Sequence, residues 1–554
     1  MRPASPTPQS SSPFNRRIEM AATTLMIFVT TFVLFVDNAT FWRKGIDIFG
    51  DQVFQLAGYA LIVYCLTLAA FSLFSFRWVV KPFLGFILIL SAVTSYYMDR
   101  LGVMIDRDMI QNVVTTTFTE SKHLITADFV THVALFGILP AAMLHWVRIK
   151  RQRPLAALGL PIAIFVASWA VAVAVLMLNY KDFSAVAREH KDLLGSYQPG
   201  APLVGAIRYA KMVTHTVNTV VTPLGLDAAK GHAYQTANKP VLTIIVAGET
   251  ARAQNFSLNG YDRPTNPELS QLPIINFTDV SSCGTATATS LPCMFSKYGR
   301  ADYTFEKGLA TENLLDVLHH AGFAVEWWDN NTGDKDNAVR LPRRKFTNED
   351  DTEFCPSGEC DDGIFLKHLK DYAETITEDT VLVFHQIGSH GPTYYLRYPD
   401  AFETFKPACR TAEFKTCTPA EIVNSYDNTI AYTDHILSQT IDFLAAQDGF
   451  VTSLLYVSDH GESLGENGLY LHGTPYFMAP EEQTKVPMIL WMSPEFERQF
   501  LVRPGCLSAK ADTPLSHDNL FHSVLGMLDV TTKDYDAALD IFADCRIKSE
   551  VAQQ

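Results

Sequence analysis

The sequence predicts a chain in two parts, an N-terminal block of five membrane-spanning helices followed by an exported α/β domain on a mostly parallel sheet. Three observations carry this. Apolar segments near the roughly 20 residues that cross a bilayer recur five times, the last ending at Leu178, and nothing after it resembles them. The charge divides near the same place: up to Leu155 there are 14 Lys+Arg against 9 Asp+Glu, or +5, so the remainder carries −20 of the total −15. Beyond about Lys239, short apolar runs alternate with helix-like segments, which is the pattern of a parallel sheet covered on both faces.

The leading "MRPASPTPQSSSP" is Pro/Ser-rich, and residues 1–17 are expected to form a disordered cytoplasmic tail. The spans follow as Met20–Val36, Val53–Ser75, Trp78–Met98, Phe129–Val147 and Leu155–Leu178. A hydrophobic content of 48% with 12% aromatics exceeds the need of an ordinary soluble chain, and five such segments in one block are hard to bury in a soluble core. Arg16 and Arg17 precede the first span, Arg77 and Lys81 mark the second turn, and "RIKRQR" (Arg148–Arg153) joins the fourth and fifth. All three groups fall on one side, the cytoplasmic one, so an odd number of spans puts everything after Leu178 on the other. The first segment offers no small-residue cleavage site in "FVLFVDNATFWRKG", which argues against a signal peptide. On this reading residues 18–180 form the five-span domain with an exported loop at 99–127, residues 181–237 a bridge, and residues 238–554 the exported domain. In the loop, Asn112, Thr116 and Glu120 recur every fourth residue and are expected to share one helix face, turned to water or to a lipid headgroup.

Nine cysteines fit that division. Cys65 lies inside the second span; the others group as Cys283/Cys293, Cys355/Cys360, Cys409/Cys417 and Cys506/Cys545. Short-range pairs suit disulfides in an oxidising compartment, with Cys506/Cys545 closing the longest loop. A zinc–thiolate cluster is the competing use, but there is no CxxC. The acidic exported part has no basic stripe, which speaks against a nucleic-acid partner.

In a parallel α/β sheet ligands gather at the carboxyl ends of the strands. Here one strand end after another finishes in a ligand-type residue: Glu249 after "LTIIVAG", His385 and His390 around "VLVFHQIGSH", Asp459 and His460 after "SLLYVS", with His472 following a glycine-rich loop. Carboxylate oxygen and imidazole nitrogen are zinc's usual donors apart from thiolate, and a site with few protein ligands leaves room for substrate. Between Cys283 and Cys293 lies a hydroxyl-rich loop from which a helix can start near Ala286, its N–H groups and positive end suited to a phosphate. A hydroxyl beside the metal would ionise more readily than a free one. The plainer use of such a Ser/Thr loop is capping.

"GET" at Gly248–Thr250, "CGTATATSLPCMFS" at Cys283–Ser296, "HQIGSHGPTYY" at His385–Tyr395, "SDHGESLGENGLYLHGTP" at Ser458–Pro475 and "LSHDNLFHSVLGMLDV" at Leu515–Val530 resemble the lipid A phosphoethanolamine transferases, the family that includes the mobile colistin resistance enzymes. The resemblance covers essentially the whole chain. It implies an alkaline-phosphatase/sulfatase-like α/β/α domain in the periplasm, anchored by the spans in the bacterial inner membrane. It further implies zinc held by Glu249, Asp459, His460 and the nucleophile Thr287, with His390 and His472 holding the substrate phosphate or a second zinc. His385 is expected to support a ligand. Asn112, Thr116 and Glu120, with Thr332 and Lys335, match positions proposed to bind the donor headgroup, and Thr332 keeps the hydroxyl of a position that is commonly Ser. The donor implied is phosphatidylethanolamine, the acceptor lipid A, and the enzyme a monomer among membrane lipids.

The rival enzymatic readings keep the fold and change the substrate: an inner-core sugar or other glycan as acceptor, or glycerol phosphate transfer. A sulfatase is disfavoured because the nucleophile segment lacks the Cys-x-Pro-x-Arg pattern. A non-enzymatic membrane sensor with a dead site is disfavoured by the intact Glu249, Thr287, Asp459 and His460.

Overall fold

The computed structural model describes residues 18–116, 121–216, 220–235, 237–347, 351–355 and 359–547, so the 1–17 tail and Glu120 lie outside the described residues. The chain forms two compact units. One holds the chain up to Arg100 with Ala127–Val204; the other holds Leu101–Thr126 with everything from Gly205 onward.

Among the described residues, four helices are long and apolar enough to cross a membrane: α3 (Val53–Ser72), α4 (Val80–Leu101), α6 (Ala127–Trp146) and the Leu155–Leu178 stretch of α7 (Pro154–Leu178). The expected first span differs. It is α1 (Ala22–Val36), 15 residues long, bent by 66° from α2 (Ala39–Phe49), so a fifth span exists only if the bent pair counts as one. Fifteen residues rise about 22 Å, short of the roughly 30 Å hydrocarbon core. The bend falls at Asp37–Asn38, where Asn38 Nδ2 donates 2.9 Å bonds to the carbonyls of Val33 and Gln198 and so satisfies the freed end of α1.

Two short strands, Ile18–Met20 and Val147–Ile149, pair in parallel. They put the entry to the first helix beside the start of "RIKRQR", as the charge argument requires. The segment read as a mixed bridge is largely helical, as Tyr180–Glu189, Lys191–Gly195 and Gly200–Thr216. Phe183, Val186, Leu193 and Tyr197 from it are buried with Phe41, Phe49 and Tyr59. That apolar face, spaced irregularly among polar residues, explains why composition alone reads as a linker.

The second unit is built on an eight-stranded sheet. In chain order its strands are β1 (Val241–Gly248), β2 (Ile275–Ser281), β3 (Ala324–Asp329), β4 (Arg343–Lys345), β5 (Thr380–His385), β6 (Val451–Ser458), β7 (Lys485–Met492) and β8 (Leu515–Ser516). They lie in the order β8-β2-β7-β6-β1-β5-β3-β4. All neighbours are parallel except at β7, which runs antiparallel to both β2 and β6. Between β6 and β7 the chain has only single short helical turns and a two-stranded hairpin, with no helix long enough to carry a parallel crossover over the sheet face, and the strand returns in the opposite sense.

Every residue of β1 is buried. Val241, Ile245 and Ala247 face one core with Leu291, Leu314 and Leu318, while Leu242, Ile244 and Val246 face the other with Ile422, Tyr426 and Ile430 of α9 (Pro419–Ala445). This two-sided burial is why the strand reads as a continuous apolar run. Helix α9 starts on a capping box, with Thr418 accepting from the Glu421 N–H and Glu421 accepting in return.

Four disulfides join Cys283–Cys293, Cys355–Cys360, Cys409–Cys417 and Cys506–Cys545, and Cys65 remains a buried free thiol. Non-reducing peptide mapping of the purified protein is expected to recover these linked pairs, each contributing about 2–4 kcal/mol. Free thiols at all eight positions would contradict the exported placement.

Candidate active site

The carboxyl ends of β1 and β6 lie side by side, with Gly248 in register with Ser458. The next residues, Glu249, Asp459 and His460, are buried, and their ligand atoms lie within 4.8 Å of one another. Asp459 Oδ1 accepts from the N–H groups of Thr250 at 3.1 Å and His460 at 2.7 Å, whereas Oδ2 is buried with no hydrogen-bond partner. His460 Nδ1 lies 2.9 Å from the Gly461 carbonyl, which places the ring proton there. The lone pair on Nε2 is left 3.4 Å from Asp459 Oδ2 and 3.6 Å from Glu249 Oε1. A buried orphan carboxylate oxygen, a second carboxylate and an imidazole lone pair around one point are what a divalent cation needs, so these residues fit a metal ion.

The electrostatics agree. Burial would raise Glu249, but the protonated His385 behind it outweighs this and holds its carboxyl well below the usual carboxylate range. Asp459 goes the other way, since burial and then the negative charge of Glu249 push it well above. Burial, and then the charge of His472, push His460 down to about 3, so its ring is neutral and ready to ligate at neutral pH. Without a cation the two carboxylates repel; with one, both are stabilised in the ionised form.

Thr287 opens helix α8 (Thr287–Met294), which the Cys283–Cys293 disulfide ties back on itself. No side chain caps this helix, because the N-cap is Ala286. Its positive end therefore faces the site unshielded. Thr287 Oγ1 lies 3.2 Å from both oxygens of Glu249 and 3.3 Å from His460 Nε2. The hydroxyl, the triad and the helix end thus share one small volume.

His390 and His472 border it. The His472 ring is centred 4.5 Å from that of His460 and 5.4 Å from that of His390. His472 Nδ1 is 2.9 Å from Glu462 Oε2, and Glu462 is held in turn by the Tyr394 hydroxyl at 2.6 Å. His385 is not among the ligand atoms. It sits behind Glu249, with Nδ1 2.7 Å from Asp329 and Nε2 3.8 Å from Glu249 Oε2. Burial lowers its pKa, but Asp329 and Glu249 more than compensate and lift it to about 9, so it carries a proton that braces Glu249. Gly388 holds φ +48°, and a Cβ there would lie 2.7 Å from the Glu249 carbonyl oxygen, so only glycine lets the His385–His390 loop pass.

The loop read as a headgroup site belongs to this same unit. Helix α5 (Arg107–Thr115) starts on the Asp106 side chain and packs over the site, with Gln111 Nε2 3.5 Å from the Ala288 carbonyl. Asn112 and Thr116 are neighbours, Thr116 Oγ1 donating to the Asn112 carbonyl at 2.6 Å. The helix that carries Asn112 ends at Thr115, and Thr116 is extended (φ −73°, ψ 141°), while Glu120, the third member of the expected stripe, lies outside the described residues. The β-branched run "TTT" makes a helix costly there. Lys335 Nζ donates to the Thr332 carbonyl at 3.2 Å and to the Thr115 carbonyl at 3.3 Å, which brings both members of "DNNTGDKDN" to the end of α5.

Two supporting residues escaped the sequence reading. Asn331 Nδ2 donates to Glu249 Oε2 at 2.8 Å and to the Gln386 carbonyl at 2.9 Å, fixing the second oxygen of the carboxylate. His517, held down to about 4 by burial, is a neutral strut: Nδ1 accepts from the Cys283 N–H at 3.0 Å while Nε2 donates to the Ser458 carbonyl at 3.0 Å. It ties the Thr287 segment to the strand end that carries Asp459. His517 lies inside the quoted Leu515–Val530 motif and Asn331 directly precedes Thr332, so the polar residues of these stretches were the available signal.

A mostly parallel α/β sheet bearing a carboxylate–imidazole triad and a buried hydroxyl near its strand ends, in a chain that also has helices long and apolar enough to cross a membrane, defines a member of the alkaline phosphatase/sulfatase class. Residues 242–530 match the sulfatase family, and residues 63–213 match the family described as phosphoethanolamine transferase EptA/EptB. The chain is 41% identical to phosphoethanolamine transferase EptA of Escherichia coli K12, over 86% of this chain and 88% of that one. It is 34% identical to phosphatidylethanolamine transferase Mcr-1 of Escherichia coli, over 92% and 95%. Among solved structures, the integral membrane protein lipooligosaccharide phosphoethanolamine transferase A (EptA) from Neisseria meningitidis superposes with a TM-score of 0.92 at 34% identity, covering 96% of this chain and 100% of that one. The chain belongs to the phosphoethanolamine transferase family and is a transferase.

Proposed function

We propose that this enzyme moves phosphoethanolamine from phosphatidylethanolamine to a phosphate of lipid A through a covalent phosphothreonine at Thr287. It would work from the bacterial inner membrane, with a five-span anchor over residues 18–180, a bridge over 181–237 and a periplasmic catalytic domain over 238–554. The observation that carries the reading is the Thr287 hydroxyl, 3.2 Å from both oxygens of the ionised Glu249 at an uncapped helix N-terminus.

Glu249, Asp459 and His460, with Thr287, would hold zinc, the metal that suits two carboxylates and an imidazole in a site open to substrate. Bound there, zinc would supply positive charge that favours an ionised hydroxyl and developing negative charge on phosphoryl oxygens. The donor phosphate would sit against the N–H groups at the start of α8, between His390 and His472. Thr287 Oγ1 attacks the donor phosphorus; the new O–P bond forms as the P–O bond to diacylglycerol breaks, and diacylglycerol leaves after gaining a proton. The threonine proton passes to solvent. An oxygen of a lipid A phosphate then attacks the same phosphorus, and Thr287 leaves with its hydroxyl restored. His390 and His472 balance charge in both steps. The donor's ammonium needs anionic or hydrogen-bonding partners, the role proposed for Asn112, Thr116 and Glu120, with Thr332 and Lys335 beside them. Capping an anionic phosphate with an amine lowers the surface charge that draws cationic peptides, which would confer resistance to polymyxins.

Mass spectrometry of lipid A from cells with and without the protein tests this. The expected result is a species heavier by one phosphoethanolamine that appears only with the active protein. Unmodified lipid A beside a modified inner-core sugar or other glycan, or transfer of glycerol phosphate, would reassign the substrate.

A further inference from the structure

His390 lies on the segment after β5, and a second set of buried groups outside the metal triad holds that segment. Asp362 accepts from the N–H groups of Ile387 at 3.0 Å and Gly388 at 3.2 Å. Arg397 is 2% exposed and spreads its fork three ways: Nε donates to the His390 carbonyl at 2.9 Å, Nη2 lies 3.4 Å from Thr393 Oγ1, and Nη1 donates to Glu359 at 2.9 Å. Glu359 and Asp362 flank Cys360, whose disulfide to Cys355 closes that stretch of chain.

Glu359 has another neighbour. His123 Nε2 lies 3.4 Å from the same Oε2 that Arg397 engages. His123 comes from the loop between α4 and α6, the loop whose helix α5 packs over the site and carries Asn112. Burial would raise Glu359, but His123 and Arg397 outweigh it and hold the carboxylate at about 2. An ionised, buried carboxylate between two cation-capable groups is a demanding arrangement, because losing either partner leaves it under-compensated. No part of the triad chemistry requires it.

We propose that Arg397 and Glu359 are positioning residues that link the seating of the membrane-side loop, sensed through His123, to the placement of His390 at the substrate phosphate. The proposal rests on the reading of His390 as a phosphate-binding residue. A docked loop keeps Glu359 in place through His123, Glu359 aims Arg397, and Arg397 fixes the His390 backbone. Arg and Lys are not equivalent at such a site, since only the planar fork bonds a carboxylate and a carbonyl together.

The test is a double-mutant cycle on the full-length enzyme in liposomes containing phosphatidylethanolamine, with zinc content measured for every variant. Arg397→Lys is expected to lower kcat/KM for transfer by about tenfold to a hundredfold, the cost of a small misplacement at a reacting centre, while zinc per chain is unchanged. His123→Ala is expected to act mainly on KM for the lipid donor. Combined, the two should cost clearly less than the product of their separate effects, because both break one path. Effects that multiply, or an activity loss that tracks zinc loss, would overturn the proposal. Should Arg397→Lys fold poorly, the isosteric Glu359→Gln serves in its place. In that background His123→Ala should add nothing, and a full additional loss would overturn the proposal equally. Failure of the underlying reading of His390 is distinguishable, since it would show as transfer retained by His390→Ala.

Discussion

Thr287→Ala is expected to abolish phosphoethanolamine transfer, by at least about a thousandfold, as removal of a nucleophile does elsewhere. The substitution deletes a hydroxyl and a methyl at a helix N-terminus whose backbone is set by the Cys283–Cys293 disulfide and by His517, so the fold should survive. Glu249, Asp459 and His460 remain, and the variant should keep most of its metal. The measurement pairs zinc content with intact-protein mass after incubation with phosphatidylethanolamine. Wild type should gain a phosphoethanolamine adduct in the absence of acceptor, and the variant none. Normal transfer by Thr287→Ala would mean that another of the clustered hydroxyls is the nucleophile.

Asp459→Asn should lose both metal and turnover, with metal affinity reduced by at least about a hundredfold, the upper end of what losing even an outer partner of a ligand costs. Asparagine can keep the acceptor that binds the Thr250 and His460 N–H groups, but it replaces the orphan Oδ2 with an amide and removes one charge. The sign of the stability change depends on metal. In a chelator, wild type carries two buried carboxylates repelling across the empty triad, and Asp459 is pushed well above its usual range. The variant relieves that and should melt no lower than wild type. With zinc added, wild type gains stability in proportion to its occupancy and the variant does not. A variant that melts lower than wild type in the chelator would show that Asp459 is structural rather than a ligand.

Much of this site is legible in the chain because strands ending in Glu249, His385 and Asp459–His460 each advertise themselves by an apolar run closing on a polar residue. Their ranks are not legible. His385 and Asp459 look alike at a strand end, yet one braces Glu249 from behind while the other presents an unpartnered oxygen. Arg397 carries no local mark, and the motifs around Asn331 and His517 do not reveal which polar residue supports the site, since such a residue in a loop is ordinary until its partner is known.

What the sequence by itself determined is the division of composition: apolar helix-length segments then an acidic α/β domain, buried strands alternating with helices, cysteines spaced for local pairing, and the residue types at the strand ends. These depend on hydrophobicity and periodicity, which act over one element at a time. The tertiary structure alone decided the 66° break after α1, the reversal of β7, the end of α5 at Thr115, and which atoms face the metal position. It also decided that the loop between α4 and α6 meets Glu359 through His123 and that His517 bridges Cys283 and Ser458. Each of these depends on the register between segments separated by tens to hundreds of residues, as when β1 aligns Gly248 with Ser458. A pattern of single-residue preferences can say that a strand is buried, but only packing against its neighbours fixes which carboxylate oxygen is left without a partner.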